Sequence, residues 1–131
     1  MDLMARRSLS IVALTVIVVV SLGSGLSAHN RLLRSSPVVD ATLSASPSVI
    51  RLWFAETPLL GFSSVTLTGP AGAIKIGSVT AEKDGSLAAK LDQTLPAGEY
   101  TVSWRTAGDD GHQVRGTFGF LIRPRRTRER P

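Results

Sequence analysis

Turn residues constrain this chain more than any other feature. From residue 31 to 122, short runs of β-forming residues are cut by Ser36-Pro37, Ser46-Pro47-Ser48, Gly69-Pro70-Ala71-Gly72, Asp84-Gly85, Pro96-Ala97-Gly98 and Asp109-Asp110-Gly111. Punctuation at intervals of roughly 8–12 residues is the pattern of a sandwich or barrel. The runs between predict strands over 31–35, 49–55, 64–68, 74–79, 86–91, 99–106 and 114–122. Tyr100, Val102 and Trp104 alternate with Thr101, Ser103 and Arg105, and Phe118, Phe120 and Ile122 form a second apolar stripe. Trp53 and Trp104 are both expected in the core. Leu95-Pro96-Ala97-Gly98-Glu99-Tyr100 has the form of a tyrosine corner, in which the hydroxyl bonds back to nearby backbone. An ordinary buried tyrosine at a strand start is the alternative. The expected fold is all-β, a sandwich or barrel of about seven strands in one domain.

Ahead of that domain, Arg6 and Arg7 precede an apolar run from Ile11 to Val20, followed by small and flexible residues ending at Ala28. This is the pattern of a cleaved secretory signal, and the run is short of the ~18 residues that span a bilayer. An uncleaved membrane anchor is the competing reading. The apolar run favours the general export route over a twin-arginine route. The expected organisation is a signal peptide over 1–28, a β domain over 29–122 and an Arg-rich tail over 123–131. The mature protein is expected outside the cytoplasm, in the periplasm or cell envelope.

Net charge follows the same division. Of 15 basic and 10 acidic residues, the tail holds five Arg and one Glu, whereas the β domain is balanced at eight and eight. A nucleic-acid-binding domain would carry its basic residues across the folded face, so nucleic acid is not an expected partner. The tail RPRRTRERP has no core-forming residue and reads as disordered, with weak, salt-sensitive contact to anionic membrane surfaces as its functional alternative.

The chain has no cysteine, and its two methionines are Met1 and Met4, so the β domain offers no sulfur ligand. Its two histidines are His29 and His112. Cleavage after Ala28 would make His29 the first residue, with an α-amine and an imidazole Nδ1 able to chelate one metal. Cuts after Gly25 or Ser27 stay open and would remove that chemistry. Asp110-Gly111-His112 supplies a second imidazole and a carboxylate, with the i, i+2 spacing that places two side chains on one side of an extended segment. An ordinary Asp-Gly turn is the bland reading of that triplet. Taken together, three nitrogens and a carboxylate suit tetragonal Cu(II). Asp109, one residue out of register, is expected to face solvent.

These residues resemble the CopC copper-resistance family. The likeness runs through HNRLLRSSP from His29, Val49-Ile50-Arg51-Leu52-Trp53-Phe54-Ala55-Glu56, Gly98-Glu99-Tyr100-Thr101-Val102-Ser103-Trp104, Asp110-Gly111-His112 and Gly116-Thr117-Phe118-Gly119-Phe120. The resemblance implies an immunoglobulin-like Greek-key β-sandwich or barrel with one Cu(II) per chain. It implies the His29 amine and imidazole, Asp110 and His112 as ligands, with Glu56 an acidic residue near the metal. A solvated carboxylate ending a strand is the plain alternative for Glu56. Some members also carry a methionine-rich Cu(I) site, which these residues do not match. The expected role is copper buffering, tolerance or delivery by a monomer, with an inner-membrane transporter of the CopD type as partner. A histidine-brace copper oxygenase and a metal-free immunoglobulin-like interaction module are the alternatives; the expectation is a non-enzyme.

Overall fold

The computed structural model describes residues 30–126. The expected signal segment, His29 and positions 127–131 of the tail lie outside the described residues. Among the described residues, nine strands form two sheets: β1 (Leu32–Ser36), β2 (Thr42–Leu43), β3 (Val49–Phe54), β4 (Ser64–Gly69), β5 (Gly72–Ile74), β6 (Val79–Ala81), β7 (Leu87–Lys90), β8 (Gly98–Ala107) and β9 (Gln113–Ile122). One sheet has the order β1-β3-β7-β6 and the other β2-β9-β8-β4-β5. The chain passes repeatedly between the sheets, giving the expected β-sandwich.

The core follows from period-two alternation. In β3, Ile50, Leu52 and Phe54 are buried and the residues between them are not. Tyr100, Val102 and Thr106 of β8 face the same interior as Phe118, Phe120 and Ile122 of β9. Tyr100 stacks on Phe120 with ring centroids 5.3 Å apart, and Phe54 meets Trp104 edge-on at 5.1 Å. Burying each large apolar side chain contributes about 1.5–3 kcal/mol, so this shared interior, rather than any single turn, holds the sheets together. The tyrosine corner is present: the Tyr100 hydroxyl donates to the Pro96 carbonyl at 2.6 Å.

Three expectations need correction. The run over 74–79 is two strands in different sheets, β5 and β6, joined by a crossover. There the Gly77 N–H bonds to the Lys90 carbonyl at 2.8 Å and the Lys90 N–H to the Ser78 carbonyl at 3.1 Å. Continuous β propensity concealed the change of sheet. The short β2 was not anticipated; it pairs in parallel with β9, Thr42 opposite Leu121 and Leu43 opposite Ile122. Two residues are too few to produce a period.

The third correction is Trp53. It points outward, half-buried, because the inward positions of β3 belong to Ile50, Leu52 and Phe54. Arg34 lies directly opposite on β1, its guanidinium carbon 3.9 Å from the Trp53 ring centroid. This is a cation–π contact on the outer face. Trp104 does pack against the core, although only partly buried. Asp84 ties Trp53 to the β6–β7 turn: Oδ2 accepts from Trp53 Nε1 at 3.0 Å, and Oδ1 accepts from Ser86 Oγ at 2.6 Å and Ser86 N–H at 3.0 Å.

Two outcomes test this packing. Tyr100→Phe is expected to lower the unfolding free energy by about 1 kcal/mol with an unchanged denaturant slope, measured by urea titration. The hydrogen bonds from the Ser86 hydroxyl, the Ser86 N–H and Trp53 lower the Asp84 pKa from an ordinary 3.8 to about 2. A group so lowered stabilises the fold above its ordinary pKa, and that contribution disappears as pH falls through about 2. A carboxyl NMR titration is expected to find the Asp84 midpoint there, and Ser86→Ala to raise it.

Candidate metal centre

The β8–β9 hairpin ends in a tight turn, the Gly111 N–H bonding to the Gly108 carbonyl at 2.9 Å. Gly111 has φ +75°, in the region that side chains disfavour, and this reverses the chain between Asp110 and His112. The Asp110 carboxylate closes the turn. Its Oδ1 accepts the His112 backbone N–H at 3.0 Å, and its Oδ2 meets His112 Nδ1 at 2.9 Å. The triplet is therefore a turn and a carboxylate–imidazole pair at once. The two side chains meet through this turn, rather than through the extended i, i+2 geometry expected from spacing.

With hydrogen assigned to Nδ1, the ring's Nε2 carries the lone pair, the arrangement by which carboxylates orient metal-binding imidazoles. The His112 side chain is 85% exposed and that of Asp110 42%, so the ring stands at an open rim. Asp109 is exposed, as expected.

Glu56 arrives from the other sheet, two residues beyond the end of β3. A Cβ placed on Gly108 would lie 2.5 Å from Glu56 Oε2 and 3.7 Å from both Asp110 Oδ1 and the Asn30 side-chain amide. Two carboxylates and an amide thus converge over a residue that has no side chain. Anions gathered this closely favour a nearby cation. Among the described residues, no three His, Cys, Asp or Glu side chains form a metal-holding group by themselves. A complete centre here needs at least one further ligand.

Asn30 is the member that the sequence gave no reason to single out. It is 2% exposed. With its amide turned to satisfy both polar atoms, its nitrogen donates to the Glu56 carbonyl at 3.1 Å and its oxygen accepts the Gly108 N–H at 3.3 Å. The opposite orientation keeps a bond from the Glu56 N–H at 3.3 Å. Beside it, the Ala55 N–H bonds to the Arg31 carbonyl at 2.9 Å, which lays the segment ahead of β1 alongside the residue that follows β3. A lone asparagine before a strand has no periodicity to betray it.

Residues 32–123 match the CopC domain. Copper resistance protein C of Xanthomonas campestris pv. juglandis is 37% identical over 123 residues, covering 87% of this chain and 96% of its own. Protein YobA of Escherichia coli K12 is 30% identical over 99 residues, covering 73% and 80%. The crystal structure of CopC from Methylosinus trichosporium OB3b superposes with a TM-score of 0.68 at 26% identity, covering 76% of this chain and 98% of that one. PcoC, a methionine-rich copper resistance protein from Escherichia coli, gives 0.66 at 31% identity, covering 73% and 100%.

The two loop glycines should respond differently to a methyl group. Gly111→Ala forces a side chain into positive φ and is expected to cost about 1–2 kcal/mol of stability. Gly108→Ala meets only the flexible end of Glu56 and is expected to cost less, while displacing that carboxylate. Urea unfolding checks the first, and the Glu56 carboxyl chemical shift the second.

Proposed function

The chain belongs to the CopC copper-resistance family, and on that premise we propose that it is an extracytoplasmic protein that binds one Cu(II). The observation that carries this reading is the Asp110–His112 pair at an open rim, with Glu56 and buried Asn30 near Asp110 over Gly108. Asn30 directly follows His29, and adjacent Cα atoms are about 3.8 Å apart across a trans peptide bond, so a ligand at position 29 would start within reach of the rim. Export with cleavage after Ala28 would free the His29 amine to join its imidazole. With His112 Nε2 that makes three nitrogens, and Asp110 offers the oxygen. Glu56 adds negative charge beside the metal.

Nitrogen and carboxylate ligands without sulfur suit Cu(II) over Cu(I). The chain departs here from the relative described as methionine-rich, because its only methionines are Met1 and Met4. We assign it a single-site role: holding copper outside the cytoplasm and passing it to a membrane copper transporter. The site's position supports carriage over substrate oxidation. A hollow of about 310 Å³ lined by Pro70, Leu95, Pro96 and Tyr100 lies at the opposite end of β8 from the 108–112 loop. The rim itself is open, which suits transfer of an ion.

The test uses the exported protein and a version carrying one glycine before His29. The extension converts the amine to an amide and removes the chelate, while leaving every core contact intact. Competition titration against a chelator of known affinity is expected to show a loss of Cu(II) affinity by orders of magnitude. Metal-free melting should be nearly unchanged, and copper should stabilise the extended version less. His112→Ala is expected to weaken binding far more than Asp109→Ala. An electron paramagnetic resonance spectrum with oxygen ligation alone, or equal competition by the extended chain, would overturn the proposal.

A further inference from the structure

Asn30 joins parts of the molecule that strand pairing leaves separate. Its backbone belongs to the segment leading into β1. Its side chain reaches the Glu56 carbonyl beyond β3 and the Gly108 N–H at the start of the β8–β9 loop. Glu56 and Asp110 are the two carboxylates over Gly108, and His112 is held by Asp110. One buried amide, on the residue next to His29, therefore bridges the backbone that carries Glu56 and the first residue of the 108–112 loop.

We propose that Asn30 is a positioning residue that holds the amino-terminal ligand pair against the 108–112 loop before copper arrives; this rests on the copper-binding reading above. Chain ends ordinarily fray, and a metal that must first gather a frayed terminus loses affinity to the ordering. At 2% exposure the Asn30 side chain has little freedom to leave its partners, because water would not replace the bonds it gave up while buried. Asn30 itself is thereby fixed by folding rather than by the metal. An outer partner of this kind typically changes metal affinity about 10–100-fold when removed. A hydrocarbon in its place would fill the space without bonding to either neighbour.

The experiment compares Asn30→Ala with the wild type, each with its authentic terminus and with the added glycine. In the authentic chains, Asn30→Ala is expected to lower Cu(II) affinity about tenfold. It should also replace a single copper resonance spectrum with a mixture. In the extended chains, where the amine no longer binds, the substitution should have little further effect; this non-additivity is the signature of action through the terminus. In the metal-free authentic chain, hydrogen exchange at the Gly108 amide should accelerate. Asn30→Ser, which retains a hydroxyl, is carried through the same comparison should the alanine variant fold poorly. Unchanged affinity and spectrum, or equal losses with and without the glycine, overturn the inference while leaving the copper reading standing. A wild type that binds no Cu(II) through its terminus overturns both.

Discussion

Full-length antiparallel pairing of β8 with β9 is the constraint on which the rest of the structure depends. It runs from Gly98 opposite Ile122 to Ala107 opposite Gln113. Side chains alternate along both strands, so this one register sends Tyr100, Val102, Phe118 and Phe120 to the same interior. A slip of either strand by one residue would turn its own stripe to solvent. The register also decides the far end of the molecule, because the residues left over between Ala107 and Gln113 must reverse within a short loop. That loop is the candidate metal centre. Core and site are therefore consequences of one pairing.

The two ends of the sandwich use polar groups differently. At one end the Tyr100 hydroxyl is spent on the Pro96 carbonyl, closing a corner around apolar residues. At the other end the polar groups remain at the surface: Asp110 orients an exposed imidazole, and Glu56 approaches from the opposite sheet. Two carboxylates near one another make this rim attractive to a cation. Beneath the rim lies the buried side chain of Asn30.

Much of the fold was legible because its signals are local. Tyr100-Val102-Trp104 and Phe118-Phe120-Ile122 declared their strands by period, and Asp84-Gly85 declared the β6–β7 turn by composition. Trp53 shows the limit of reading hydrophobicity residue by residue. The alternation Ile50, Leu52, Phe54 already assigned it to the outer face, yet its size suggested a core position. The divided run at 74–79 shows a different limit. Only its ends lie in strands, Ile74 in β5 and Val79 in β6, and nothing in the residues records that Lys75–Ser78 carries the chain from one sheet to the other.

For the candidate site the division is sharper. Sequence by itself determined which donor types the β domain can offer: two histidines, carboxylates and no sulfur, with Asp110-Gly111-His112 confined to one turn. It also determined that a terminal histidine would matter only if export exposed it. Tertiary structure alone decided that Glu56, from the other sheet, lies beside Asp110 over Gly108, and that Asn30 ties both elements to the start of the chain. The reason is physical. Ligand type is a property of each side chain, and turn preference a property of adjacent residues. Convergence of residues 30, 56 and 110 depends on how two sheets stack, which is set by the whole core and recorded at none of those positions.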